Sequence, residues 1–187
     1  VIVGGAESGM EAAYNLVLAG STVSVVDPSE PWATPVSDSS YGLSPFTFAR
    51  VRALKKSGKA EFIPEFAEHI SEKQLRTKSR AFDLSHPAID ATGFDVRQGL
   101  AGKLFDFVDG HPHWTDRDES TLHRNVYLVG PNVQHGNAVF CFIYKYRQRF
   151  AVVVREILSR WGQESPAIAR YAERGFLLDD LSCCELE

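Results

Sequence analysis

An α/β fold, with a mostly parallel sheet flanked by helices, is predicted by three features of the sequence. Short β-branched runs stop abruptly at glycine or at Asp-Pro. Helical periodicities separate them. The first strand, helix and second strand follow one another within residues 1–27, which gives a βαβ unit with a parallel sheet. A small antiparallel meander and C-terminal helices complete the expectation.

Taken in order, residues 1–3 (VIV) read as a buried strand stopped by Gly4-Gly5. Residues 8–19 turn helical, with Met10, Ala13, Leu16 and Val17 on one face and Gly20 as the stop. Residues 22–26 form a second strand that ends at Asp27-Pro28. Residues 28–45 carry four prolines and many serines, which makes a long loop of the kind that serves function or moves. A helix over 46–56 has a basic end before Gly58, and 61–63 form a short strand. The mixed stretch 65–84 is expected to be the meander, and 88–91 a strand that stops in "TGF". Residues 95–124 read as irregular, with "GHPHW" and the acidic "TDRDES" at the surface. A buried strand is expected over 126–129, ended by Gly130-Pro131. A long helix follows from about 138 to 161, with Phe140, Ile143, Tyr144, Arg147, Phe150, Ala151, Val154, Ile157, Leu158 and Trp161 along one face. A last helix covers 166–174.

Composition narrows the class. A chain of 187 residues can bury a sizeable core, and its net charge of −4 leaves no surplus of cations to displace counterions from nucleic acid. No apolar run reaches the roughly 18 residues that a bilayer requires, and the first residues lack a basic n-region, so no signal peptide is expected. Three cysteines form no disulfide framework, so a reducing cytoplasm is the expected setting. A chain that opens on a strand without Met is expected to have lost, or once followed, another segment.

The bend after the first strand carries the chemistry. A dinucleotide fingerprint places G-x-G-x-x-G between strand and helix, with an acid about 20 residues on. Here Gly4, Ala6 and Gly9 take the three positions, and Asp27 stands at the tip of the next strand. Alanine in the middle crowds the approach to a pyrophosphate without forbidding it. Exposed amides around Gly5, Glu7 and Ser8, at the helix start, favour an anion. Asp27 can accept hydrogen bonds from a ribose and repels a 2′-phosphate, and residues 1–49 contain no Lys or Arg. The pattern therefore predicts a Rossmann-type domain that takes NAD(H) in preference to NADP(H). The competing readings are a tight turn with no ligand and a solvated Asp-Pro turn. The basic residues Arg50, Arg52, Lys55 and Lys56 would reverse the preference if they folded back towards Asp27.

With "VIVGGAESGMEAA", "IDATGF" and "NVYLVGP" in that order, the chain resembles the two-dinucleotide-domain flavoprotein oxidoreductases, both disulfide-reductase-like and flavin-monooxygenase-like. Gly4, Gly5, Gly9 and Glu11 match the opening of that family's nicotinamide domain, and Ala6 departs from it. Ala91, Thr92 and Gly93 match its A-T-G crossover. Val126 to Gly130 match a strand that meets the flavin nucleotide, but Pro131 replaces the expected acid and leaves Asn132 as its substitute. The resemblance implies hydride transfer from the nicotinamide to FAD in the complete protein. It divides the chain into a nicotinamide-binding domain over 1–94 and a flavin-capping segment over 95–187. Three alternatives stand beside it: that 1–27 is itself the flavin-binding unit, that the chain is a non-catalytic nucleotide-binding or scaffolding module, and that the parent is an N-hydroxylating monooxygenase. A small-molecule nucleotide is the expected partner, with neither nucleic acid nor membrane, and a homodimer is possible.

Other candidates are weaker. His135, after a strand end and before a helix, could face flavin or substrate, with a surface or capping role as the simpler reading. His111 and His113 lack further ligands at metal-binding spacing, so no metal is expected. Cys183-Cys184 would close only a strained ring, Cys141 reads as core, and Lys145, Arg147 and Arg149 read as a solvated or phosphate-facing edge.

Overall fold

The structure is a computed structural model and describes residues 1–39, 41–136, 138–140 and 142–181. Cys141, Cys183 and Cys184 lie outside the described residues. The chain forms two compact units, Val1–Phe94 and Asp95–Glu187.

The first unit runs β1 (Ile2–Val3), α1 (Glu7–Leu18), β2 (Val23–Val26), α2 (Pro45–Ser57), β3 (Ala60–Ile63), β4 (His69–Ile70), β5 (Gln74–Arg76), β6 (Ala81–Asp83) and β7 (Ile89–Asp90). Strands β3, β2, β1 and β7 pair in that order, all parallel. The α/β class and its parallel sheet are as the sequence predicts. So is the meander, β4-β5-β6, which is antiparallel throughout.

Period-two alternation sorts the sheet's two faces. Ile2, Val23 and Val25 are buried with Met10 and Ala13 of α1, with Val51 and Leu54 of α2, and with Trp32. Val1, Val3 and Val26 pack the other way, against Ile63 and against Leu75 and Phe82 of the meander. Helices cover one face and the meander the other, which lets the central strands β1 and β2, with only two to four residues each, be covered on both sides. Helix α2 begins where Ser44 accepts a hydrogen bond from the Thr47 amide at 3.2 Å and Pro45 presets the first turn.

The second unit departs further from the sequence reading. Residues 95–124 are not all irregular. A 3₁₀ turn (Val96–Gln98) and the short helix α3 (Ala101–Leu104) lead into a hairpin of β8 (Asp106–Val108) and β9 (His111–His113). Its turn is Asp109-Gly110, both at positive φ, a pairing whose twist suits a two-residue hairpin. The strand expected over 126–129 does not form; these residues make one isolated bridge, Glu119 to Tyr127, and Val129 is exposed. The helix expected from residue 138 begins five residues later, because 138–139 pair instead as β11 (Ala138–Val139) with β10 (Gln134–His135). Helices α4 (Ile143–Arg160) and α5 (Pro166–Glu173) follow. The expected apolar face of α4 is largely turned outward: Ile143, Tyr144, Phe150, Val154 and Trp161 are exposed, whereas Arg149, Ala151, Val152 and Val153 are buried.

Candidate functional site

In the first unit, strand order reverses between β1 and β7, since β2 and β3 lie to one side of β1 and β7 to the other. Crevices at such reversals, beyond the carboxyl ends of parallel strands, are where open α/β sheets bind ligands. A cleft of about 650 Å³ opens there. Gly4, Ala6, Asp27, Asp90 and Thr92 are among its lining residues, and Phe66 and Ile70 of the meander side supply an apolar wall.

The bend that forms its floor has no room for a side chain at three positions. Gly4 has φ 98°, and a Cβ there would run into the Ala91 carbonyl at the end of β7. A Cβ on Gly9 would strike the Gly4 carbonyl. At Gly5 the space is taken by the Trp32 ring, which is nearly fully buried. These contacts hold the first turn of α1 directly against β1 and β7. Ala6 is the N-cap of α1 and provides no side-chain cap, so the amides of the first turn remain available to an anion.

Asp27 closes the bend. One oxygen accepts from the Gly5 amide at 2.7 Å; the other accepts from the Ser29 amide at 2.9 Å and the Ser29 hydroxyl at 2.6 Å. The carboxylate is thereby fixed between the glycine bend and the tip of β2, where a ribose diol would meet it. Across the cleft, Asp90 accepts from the Thr92 hydroxyl at 2.7 Å and the Thr92 amide at 3.0 Å. The hydroxyl, and after it the amide, hold Asp90 below the ordinary carboxylate range. Among the described residues, two carboxylates and no Lys or Arg line the cleft.

Glu7 sits in the bend, but its side chain turns to another task. Its carboxylate accepts from the Ser44 amide at 2.5 Å, the Ser44 hydroxyl at 3.2 Å and the Thr47 hydroxyl. It thus satisfies the N-terminus of α2, and only its main chain is left to a ligand. Ser8 is exposed beside it. Two of the four basic residues of α2 are also committed. Arg50 pairs with Glu11 and lies over Tyr14 and Phe46, and Lys55 donates to the Trp32 carbonyl at 3.1 Å. Gly93, at φ 94°, ends the β7 segment in the open.

The remaining expected site residues, Gly130, Asn132 and His135, belong to the second unit. Gly130 is buried at φ 130°, and Asn132 is exposed. His135 does not start a helix. It lies in β10 with Nε2 2.5 Å from Asp118 Oδ1. Asp118, in the "TDRDES" stretch expected at the surface, is fully buried, with Glu119 and Ser120 nearly so. Arg149, expected on a solvated edge, is the reason. Its Nε donates to Asp118 Oδ2 at 2.9 Å and its Nη2 to Asp118 Oδ1 at 2.8 Å, while further donors reach the carbonyls of Leu178 and Asp116 at 2.7 Å each. No sequence pattern announces this cluster, because its members come from separate segments and an arginine on an amphipathic helix normally reads as surface.

Beside it, Arg160 forks onto Glu119 with Nη1 at 2.6 Å and Nη2 at 2.5 Å. That guanidinium holds Glu119 below its ordinary value of 4.5, although burial opposes the shift. A carboxyl depressed on folding contributes stability above its unfolded value and loses it as pH falls through the folded value. The stability gap between wild type and Glu119→Gln should therefore be full at neutral pH and narrow below pH 4.5, as followed by urea unfolding at several pH values.

Among the described residues, no group of three or more His, Cys, Asp or Glu is placed to hold a metal, and no helix is long and apolar enough to cross a membrane. His111 and His113 are both exposed, on β9 rather than in a loop.

A parallel sheet with a glycine bend at its switch point and an acid at the next strand tip defines a dinucleotide-binding class. Residues 1–130 match the family described as pyridine nucleotide-disulphide oxidoreductase, and the chain belongs to that family. Similar solved structures include the bacillithiol disulfide reductase Bdr (YpdA) from Staphylococcus aureus, at 17% identity and a TM-score of 0.64 over 85% of this chain and 50% of that one. The HOCl-induced flavoprotein disulfide reductase RclA from Escherichia coli, solved as a Cu(II) complex, matches at 18% identity and a TM-score of 0.56 over 84% of this chain and 35% of that one. A pyridine nucleotide-disulfide family oxidoreductase from Enterococcus faecalis matches at 17% identity and 0.56, over 81% and 37%. The chain spans half or less of the length of these structures, and the likeness to them is one of fold.

Proposed function

We propose that this chain supplies the nicotinamide-dinucleotide-binding part of an FAD-dependent oxidoreductase, and that its cleft takes NADH in preference to NADPH. The carrying observation is the cleft's charge: Asp27 and Asp90 face it and no cation lines it. A diphosphate fits the open amides of α1, and the ribose diol fits Asp27, whose other contacts already fix its orientation. A 2′-phosphate would meet a carboxylate with no guanidinium to answer it.

Bound there, the nicotinamide supplies hydride for the flavin of the complete protein. The protein's own contribution is to hold and orient: Gly4 and Gly9 bring the helix amides to the phosphates, and Asp27 holds the sugar. Residues 126–130 do not provide a matching flavin strand. They form no sheet, and Pro131 offers neither a side-chain partner nor an amide. No step is therefore assigned to them, and the same observation is what favours a non-catalytic nucleotide-binding module as the second reading. Protein that purifies with flavin absorbance would exclude that module.

Thermal unfolding tests the nucleotide preference. At a hundredfold excess over Kd a ligand adds about 2.7 kcal/mol, and a domain of this size rises by about 2–4 °C per kcal/mol. NADH should thus raise the melting temperature by roughly 5–10 °C and NADPH by clearly less. Asp27→Asn keeps an acceptor for Gly5 and should bring the two coenzymes together. Negligible shifts with both in the wild type would reject the proposal.

A further inference from the structure

A second cleft, of about 580 Å³, lies in the second unit between α4, α5 and the segment after α5. Arg147, Arg170 and Arg174 line it with Phe150, Tyr171 and Phe176, and among the described residues no carboxylate does. The chain as a whole is acidic, with 24 Asp and Glu against 20 Lys and Arg, so three arginines lining one cavity without an acid among the described residues is a local reversal of charge. Among the described residues, none of the three forms an ion pair. The rings are arranged rather than scattered. Tyr171 and Phe176 meet edge to face at 6.2 Å, and the Arg147 guanidinium lies over the Phe176 ring at 4.8 Å. Phe150 and Tyr171 are 40% and 51% exposed, which leaves ring surface open to a ligand.

We infer that this cleft binds a planar aromatic anion, such as an aryl carboxylate. The flat body would stack on Tyr171 and meet Phe176, already covered by Arg147, at its edge, and the charged end would be gripped by the arginine forks. Arginine suits both parts of that task, because its guanidinium stacks on rings and also presents paired donors to an oxyanion. Lysine would offer only a point charge. The inference is independent of the nucleotide cleft, whose lining is acidic and belongs to the other unit.

The test uses the full chain, 2-naphthoate as the probe and isothermal calorimetry as the readout. One molecule should bind per chain, more weakly at high salt, and the neutral analogue 2-naphthalenemethanol should bind at least about tenfold more weakly. Arg170→Ala and Arg174→Ala change exposed side chains and should leave the circular dichroism spectrum intact, yet each should weaken 2-naphthoate by about tenfold. Saturating NADH should leave the naphthoate heat unchanged. The inference is overturned by absence of binding, by equal affinity for the alcohol, by affinity that survives both arginine variants, or by displacement with NADH.

Discussion

Replacing Arg149 by Met is expected to destabilise the protein by about 3–5 kcal/mol, the cost of leaving one member of a buried ion pair without the other. Four hydrogen bonds from this one guanidinium join α4 to the turn at residues 116–118 and to the segment at Leu178. Without it, among the described residues the Asp118 carboxylate keeps only His135 while remaining fully buried. Arg149→Lys should recover little, since an ammonium cannot reproduce a fork that reaches both carboxylate oxygens and two carbonyls. The compensating change at Asp118 must respect its backbone, which sits at φ 62°. Leucine would be strained there, whereas asparagine tolerates the left-handed region. Arg149→Met combined with Asp118→Asn should therefore regain about half of the loss. Urea unfolding reads all three variants, and a cost below about 1 kcal/mol for Arg149→Met would show that the cluster does not hold this unit together.

The two units were not equally legible in the sequence, for a physical reason. In the first, β1 and β2 are short, β-branched and ended by glycine or Asp-Pro, and α2 carries both a start at Ser44-Pro45 and a stop at Gly58. Local chemistry and tertiary environment agree there, from Ile2 through Asp90. In the second, the decisive interactions are long-range and polar. Nothing near Asp118 says that it will be buried, because its partner is 31 residues away on α4. The helical phase read across 138–161 selected an apolar face that the structure leaves mostly exposed, and overlooked Gly136, whose φ of 56° turns the β10–β11 hairpin. The Asp109-Gly110 turn was readable in principle as a hairpin signal. At the site, Gly4, Gly9 and Asp27 stood out by spacing alone. The engagement of Glu7 with Ser44 and Thr47, across 37 and 40 residues, did not.

Gly9→Val is expected to abolish the response to NADH and to lower stability by about 1–3 kcal/mol through overpacking. Gly9 lies in the first turn of α1, where even a single added carbon meets the Gly4 carbonyl and, at 3.5 Å, the Ala91 methyl. Neither neighbour can yield cheaply: Gly4 is backbone already held by its 2.9 Å hydrogen bond to the Val26 carbonyl, and Ala91 donates to Val3 at the end of β7. The helix must therefore lift, and the amides that would face a diphosphate lift with it. Ala6 supplies the contrast. Its backbone is at φ −76°, which any residue adopts, and its methyl is exposed at the mouth of the cleft. Ala6→Gly removes that methyl and places a better residue at the N-cap, so NADH affinity should be kept or tightened. Calorimetry on the two variants separates a bend that serves a ligand from one that only turns the chain. Loss in Gly9→Val with retention in Ala6→Gly supports the first, while a tenfold weakening in Ala6→Gly would mean that the helix amides do not face the nucleotide.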